Sequence, residues 1–270
     1  MNPHPPHPES TAPPTSAGGA FHLDKDRRLI ITIDGPAGTG KSTTARELAR
    51  RLELEFLDTG AMYRAAAALA LDAGLTEKDE VAVAEILEQA DLHFNWKIDP
   101  PRITARAPGG AEWIDLTDRI RTPAVEKLVS PLAAIAEVRR QLVRKQRLIG
   151  QQHRRLVSEG RDQGSVVFDD AEVKFYLFAS AEKRAQRRYD QLRAENQPAD
   201  YAKILRDIQA RDESDRGRAV GPLIRPVDAI PVDSSDKPME VVLVEMIAAV
   251  LARVGPQVRT FDPTRARTQA

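Results

Sequence analysis

The sequence predicts an α/β fold in which a five-stranded parallel sheet carries helices on both faces. Three observations predict it. Short apolar runs alternate with longer stretches of helical period through the middle of the chain, the pattern of repeated strand–helix–strand units. A glycine-rich octapeptide, Gly35-Pro36-Ala37-Gly38-Thr39-Gly40-Lys41-Ser42, follows the first apolar run directly and opens a helix. A hydrophobic content of 41% in 270 residues suffices for one good-sized core with a small inserted subdomain.

The elements follow in order. Residues 1–26 are rich in Pro, His, Ser, Thr, Ala and Gly with almost no apolar residue before Phe21, so a disordered tail is expected. His4 and His7 in such a tail lack the preformed geometry of a metal site. The run Leu29-Ile30-Ile31-Thr32-Ile33 predicts a strand over 29–34, followed by a helix over 41–52. A second strand is expected at 54–58, then helices at 60–73 and 78–90. Between 91 and 120 the runs Leu92-His93-Phe94 and Arg102-Ile103-Thr104 are set off by Pro100-Pro101 and Pro108-Gly109-Gly110. Proline and glycine at that spacing point to a small antiparallel insert rather than another crossover unit.

Helices at 122–130 and 135–152 lead to strands at 155–159 and 173–178. Val166-Val167-Phe168-Asp169-Asp170 imitates a strand ending in acidic residues. Squeezed between Gly164 and the strand that begins at Val173, it reads as a helical turn and a loop, not a magnesium site. Helices at 181–195 and 200–216, a strand at 228–233 and a helix at 238–252 complete the body. Residues 255–270 read as a second tail, and there is no internal repeat.

Charge and composition exclude several function classes. Forty basic and forty acidic residues cancel, so no global field draws the chain to nucleic acid or an anionic membrane, and neither partner is expected. The basic set is thirty arginines and ten lysines, which makes local arginine clusters worth locating as phosphate or carboxylate binders. The absence of cysteine rules out disulfides and thiolate metal sites. The best apolar stretch, Val241 to Ala252, falls short of the ~20 residues of a membrane span and carries Glu245. With no signal pattern at the N-terminus, a cytoplasmic monomer is expected.

The octapeptide is a complete G-x-x-x-x-G-K-[ST] phosphate-binding loop in its required context of strand, turn and helix. Its glycines let successive backbone N–H groups point into one concavity, and the following helix adds its positive end. Lys41 then reaches the β and γ phosphates, and the Ser42 hydroxyl suits Mg²⁺. The loop alone is shared by ATPases, GTPases and small-molecule kinases. No N-K-x-D guanine reader and no L-S-G-G-Q stretch is present.

Three further clusters narrow the choice. Asp58-Thr59-Gly60-Ala61-Met62-Tyr63-Arg64 joins a strand end to a helix start, with Thr59 as the expected N-cap and Arg64 one turn in. Glu159-Gly160-Arg161-Asp162-Gln163-Gly164 brackets an arginine and an aspartate between glycines. In Arg211-Asp212-Glu213-Ser214-Asp215-Arg216-Gly217-Arg218, positions 211, 215 and 218 share one helical face. Gly217 and Gly221-Pro222 end that helix and are candidate hinges. Each cluster has a plainer alternative: a helix start with a surface arginine, a turn with an ion pair, a solvated i,i+4 pair.

Together these segments resemble the bacterial cytidylate kinase family of P-loop nucleoside monophosphate kinases. The resemblance runs from about Leu29 to about Ile247 through I-D-G-P-A-G-T-G-K-S-T (33–43), L-D-T-G-A-M-Y-R (57–64), I-R-T-P-x-V (120–125), E-G-R-D-x-G-x-V-V-F-x-D-A (159–171) and R-D-x-x-D-R-x-R-A-V-x-P-L (211–223). It implies a P-loop NTPase fold, a kinase domain over 27–254, a monophosphate-binding subdomain over about 59–131 that holds the antiparallel insert, and a helical lid over about 184–218. The implied reaction is ATP-dependent phosphorylation of CMP and dCMP to CDP and dCDP, with Mg²⁺ as cofactor. The acceptor is already an anionic phosphate oxygen, so no general base is assigned.

By the same resemblance, Gly35 to Ser42 and Thr43 hold ATP, with Asp34 and Glu159 as candidates for metal-bound waters beside Ser42. Arg64, Arg161 and Arg218 take the acceptor phosphate, Arg211 and Asp215 take phosphate and sugar hydroxyls, and Thr59 joins the CMP set. Ser130, Arg139 and Asp162 read cytosine. Lys41, Arg161, Arg187 and Arg188 are the catalytic candidates, with Arg184 expected on the surface. The Pro-rich N-terminal extension lies outside the family pattern. Two alternatives stay open at this point: a related P-loop kinase for UMP, shikimate or gluconate, and a nucleotide-binding protein without transfer activity.

Overall fold

The computed structural model describes residues 27–95, 102–106 and 109–255. The tail expected at 1–26 with its His4 and His7, the C-terminal tail from 256 on, and the prolines at 100, 101 and 108 lie outside the described residues. In chain order, β1 (Leu29–Asp34), α1 (Lys41–Arg51), β2 (Glu55–Asp58), α2 (Thr59–Asp72) and α3 (Glu80–Gln89) lead into β3 (Asp91–Asn95), β4 (Arg102–Arg106) and β5 (Ile114–Asp115). Then come α4 (Pro123–Leu132), α5 (Ala136–Gln152), β6 (Arg155–Gly160), β7 (Val173–Phe178), α6 (Ala181–Ala194), α7 (Tyr201–Arg216), β8 (Ile230–Asp233) and α8 (Met239–Val254).

Five strands form one parallel sheet in the order β2-β6-β1-β7-β8, and β3-β4-β5 form a separate antiparallel sheet. The β1 strand is central because all six of its residues are buried, a run that only a strand covered on both faces tolerates. Its side chains alternate between two cores. Leu29, Ile31 and Ile33 join Leu48, Phe175 and Met246 on the side of α1 and α8, while Ile30 joins Leu57, Leu142 and Leu156 on the other. Register places Asp34 level with Gly160 of β6 and Tyr176 of β7, so the chain leaves three neighbouring strands along one edge. Ligands bind at such an edge, where the strand order reverses.

Local chemistry explains the covering helices. In α2, Ala65, Ala66, Ala67 and Ala68 are fully buried, and side chains this small let a helix buried on all sides lie close to both sheet and helix neighbours. On α5, Gly150 leaves room for the Phe168 ring, which a Cβ would strike. Helices α6 and α7 form an antiparallel hairpin, with the Tyr189 and Tyr201 rings edge to face at 6.3 Å near its far end.

Several details shift from the sequence expectation, and three have a visible cause. Helix α4 continues past residue 130, through Pro131, because the fully buried Leu132 extends its apolar face by one more position. The last strand starts at Ile230, since Asp228 pairs instead with Lys174 at 2.8 Å. The stretch expected as a helical turn is one π-type turn over Gln163–Val167, followed by a loop in which Asp170 pairs with Arg28 at 2.9 Å. Among the described residues no helix is long and apolar enough to cross a membrane.

Candidate active site

The glycine-rich loop follows β1, and its shape is dictated by positions only glycine can hold. Gly35 has φ +154°, and a Cβ there would run into the Leu177 carbonyl of β7. Gly38 and Gly40 have φ +78° and +90°, in the left-handed half of conformational space. Gly40 sits at the N-cap of α1 without a side-chain cap, and no acidic residue stands in the first turn. The first-turn amides are therefore left for an anion rather than used up by the protein.

Three side chains set the electrostatics here. Lys41 Nζ donates to the Pro36 carbonyl at 2.8 Å, curling back over its own loop. Burial and the Arg161 guanidinium push the Lys41 pKa down, against the pull of Glu159 and Asp34. The Ser42 hydroxyl donates to Glu159 Oε1 at 2.7 Å. Burial and the neighbouring Asp58 push Glu159 up, with Lys41 and Ser42 opposing.

Asp34 plays a different part. Its two oxygens accept the backbone N–H groups of Gln163 and Gly164 at 2.8 and 2.7 Å, anchoring the π-type turn after β6. Burial nonetheless pushes its pKa up to about 7. Both oxygens are committed to backbone, so Asp34 shapes the segment carrying Asp162 instead of facing the loop.

The start of α2 corrects one expectation. Asp58, not Thr59, caps the helix, accepting the Ala61 N–H at 2.8 Å. The same carboxylate holds Arg64 Nη2 at 3.2 Å, one turn along. Thr59 donates its hydroxyl to the Glu159 carbonyl at 2.7 Å, tying α2 to the end of β6.

Beyond β6 the charges interlock. Arg161 Nε donates to Asp215 Oδ2 at 2.8 Å, and Arg218 donates to the other oxygen of Asp215. Burial alone would raise Asp215, but Arg161, Arg218 and Arg211 outweigh it and hold the carboxyl below the usual range. The Arg211 side chain makes no hydrogen bond among the described residues; burial and the Arg161 guanidinium lower its pKa, with the Asp215 carboxylate opposing. Asp162 pairs with Arg139 of α5, which also donates to the Ala133 carbonyl at 3.2 Å and lies 5.5 Å over the Tyr63 ring. That ring contact is a cation–π support for a buried guanidinium.

These groups line one crevice of about 360 Å³, within the range of small-molecule sites. One wall is the loop: Ala37, Gly38, Gly40, Lys41, Ser42 and Thr43. The other carries Thr59, Arg64, Ser130, Arg139, Arg161 and Asp162, closed by Arg211, Asp215 and Arg218 of the α7 end, with Glu159 between. Gly35, Pro36 and Thr39 shape the loop from behind; Thr39 is buried and donates to the Pro36 carbonyl at 3.2 Å.

One arginine of α6 departs from expectation. Arg184 is buried, not on the surface, because its fork is bound to Asp212. Arg187 is turned to the carbonyls of Ser234 and Ser235, and Arg188 to Gln191 at 2.9 Å. Neither Arg187 nor Arg188 lines the crevice. Tyr63 lines it without having been singled out, although its place between Met62 and Arg64 in the 57–64 motif was a signal. Among the described residues no group of three or more His, Cys, Asp or Glu side chains is arranged to hold a metal by itself.

Known proteins of one family match most of the chain. Residues 31–252 match the model of the family described as cytidylate kinase. The chain is 43% identical over 232 residues to a cytidylate kinase from Nocardia farcinica, with 86% of this chain and 97% of that one covered. It is 45% identical over 224 residues to a cytidylate kinase from Corynebacterium glutamicum, covering 83% and 95%. A third, from Carboxydothermus hydrogenoformans, is 40% identical over 227 residues, covering 84% and 97%.

Proposed function

We propose that the chain, which belongs to the cytidylate kinase family, phosphorylates CMP and dCMP at the expense of ATP. The observation that carries this reading is the two-walled crevice, with an uncapped phosphate loop on one side and a buried arginine–aspartate pair beside a cluster of arginines on the other. The bond between the γ phosphorus and the bridging oxygen breaks, its electrons leaving with ADP. A phosphate oxygen of the acceptor forms the new bond. No proton need be removed, so catalysis consists of in-line positioning and neutralisation of charge.

On the donor side, the loop from Gly35 to Thr43 cradles ATP, and Lys41 exchanges the Pro36 carbonyl for the β and γ phosphates. On the acceptor side, Arg64, Arg161 and Arg218 bind the monophosphate, with Arg211 and Asp215 beside its sugar and Thr59 at the rim. Arg211 is the natural first contact, since among the described residues its side chain has no hydrogen bond to give up. Cytosine offers an amine donor next to acceptors at N3 and O2, which suits a carboxylate and an arginine held side by side. Asp162 and Arg139 are so held, with Ser130 nearby. Uracil reverses donor and acceptor at that edge, a mismatch that costs up to ~10⁴-fold in a site of this kind.

Mg²⁺ is the proposed cofactor. Ser42 and Glu159 supply the all-oxygen donor set a hard cation takes, leaving most positions to water and phosphate. Bound there it would neutralise charge on the transferred group. Residues of about 184–218, which take in most of the α6–α7 hairpin, are the proposed lid, whose closing movement would carry Arg187 and Arg188 to the donor phosphates. The enzyme is proposed to act as a monomer, in the cytoplasm, on small molecules.

An acceptor panel tests the function. With ATP as donor, ADP release should be fastest with CMP and dCMP, and slow or absent with UMP, AMP and shikimate. Faster turnover of UMP or AMP than of CMP would refute the assignment.

A further inference from the structure

The donor loop and the acceptor helix are joined by a side-chain pair that lines neither half of the crevice. Arg184, in the first turn of α6, and Asp212, near the end of α7, have side chains only 3% and 6% exposed. They meet as a two-pronged pair, Nη1 to Oδ1 at 3.0 Å and Nη2 to Oδ2 at 2.6 Å. The same guanidinium donates through Nη1 to the Ala37 carbonyl at 3.0 Å and through Nε to the Ala179 carbonyl at 3.0 Å. Ala37 is in the turn of the phosphate loop, and a Cβ on the next residue, Gly38, would stand 3.4 Å from that of Arg184.

Asp212 directly follows Arg211 and precedes Asp215 by three residues, and both of those line the acceptor wall. One planar fork therefore spans loop backbone and acceptor helix. A buried ion pair adds little net stability over apolar residues of the same volume. Its distinct property is a fixed geometry with two parallel bonds.

We propose that Arg184 and Asp212 are positioning residues that couple the two nucleotide sites: any shift of the loop turn on donor binding is transmitted through this fork to α7, aligning Arg211 and Asp215 for the monophosphate. The inference rests on the kinase reading and adds to it a specific carrier of communication. Coupling of this kind is reciprocal, so a bound donor analogue raises CMP affinity by the same factor as CMP raises that of the analogue.

The test measures the dissociation constant of CMP with and without a saturating non-hydrolysable ATP analogue, together with kcat and the thermal midpoint. In wild type the analogue should tighten CMP binding, typically about 5-fold or more. The double variant Arg184→Met, Asp212→Leu replaces the pair by apolar volume and should melt near wild type, yet lose the coupling and about 10-fold or more in kcat, with CMP affinity alone changed less than about 3-fold. If that variant fails to fold, Asp212→Asn, which keeps the shape and weakens the fork, is read in the same way. A folded variant with wild-type coupling and kcat overturns the inference, and so does a wild type in which the analogue leaves CMP affinity unchanged. A wild type active on CMP whose variants keep their coupling sinks this inference alone; one that transfers nothing to CMP sinks the kinase reading with it.

Discussion

Arg139 and Asp162, 23 residues apart in the chain, face each other as a buried ion pair whose side chains are 2% and 4% exposed. Each satisfies the other, so the proposed cytosine reader is preassembled and its charges are compensated. Removing one partner leaves the other buried and alone, which typically costs about 3–5 kcal/mol. Asp162→Ala should therefore lower the melting temperature by roughly 10 °C and cut kcat/KM for CMP by about 10²-fold or more, with ATP affinity nearly unchanged. Asp162→Asn places an amide donor where cytosine needs an acceptor, and should narrow the ratio of CMP to UMP use. An unaltered kcat/KM for CMP in Asp162→Ala would remove Asp162 from base reading.

The Asp58 carboxylate does two jobs at the start of α2, capping the Ala61 amide and holding Arg64. Asp58→Ala loses the cap, at a cost of about 1 kcal/mol, and so about 2–4 °C in the melting temperature of a chain of this size. Arg64 is freed at the same time, so KM for CMP should move while KM for ATP does not. Differential scanning calorimetry beside steady-state kinetics separates the two effects.

Lys41 carries a pH dependence whose sign follows from its surroundings. Burial and Arg161 lower its pKa to about 7, so above neutrality much of it is uncharged. The phosphates of ATP favour the ammonium form and raise that pKa. Binding at about pH 8 should take up a proton, the uptake should vanish by about pH 6, and ATP affinity should fall as pH rises above neutrality. Titration calorimetry in two buffers of different ionisation enthalpy measures the uptake directly. The Lys41→Met variant should show none.

Gly35 admits no side chain. At φ +154° a Cβ would meet the Leu177 carbonyl of β7, a backbone group that cannot swing aside. Gly35→Ala should lose ATP binding, with a melting temperature several degrees lower because β1 and β7 are forced apart locally. Wild-type ATP affinity in this variant would show that the loop can relax around the methyl group.

What the sequence makes legible is what depends on local pattern. The strand at Leu29–Asp34 is a continuous apolar run before a fixed-spacing glycine loop, and the insert is fenced by proline and glycine, so both can be read directly. The crevice is legible for the same reason, since Arg64, Arg161 and Arg218 each lie in a dense local motif. Pairings across the fold leave no such trace. Nothing in the 181–195 stretch shows that Arg184 is bound to Asp212, because helical spacing places Arg184, Arg187 and Arg188 on related faces and the distinction comes from α7 and the loop packed against them. Asp58 and Thr59 are adjacent and both good caps, and the choice falls to Asp58 because the Thr59 hydroxyl is drawn to the Glu159 carbonyl. Tyr63 reads as one more apolar residue of a buried helix until the Arg139 guanidinium is found above its ring.

The proposed donor loop leaves β1 after Asp34, and Arg161, the proposed acceptor arginine, leaves β6 after Gly160, the partner of Asp34 in register. Adjacent strands in a sheet stand about 4.8 Å apart, a spacing fixed by backbone hydrogen bonds and indifferent to side chains. The gauge between the departure points of the two reacting halves is thus borrowed from the peptide ladder. Surface loops and the β3–β5 insert can lengthen or diverge without altering it, and substitutions that retune the base or the sugar pocket leave the track width of the reaction untouched.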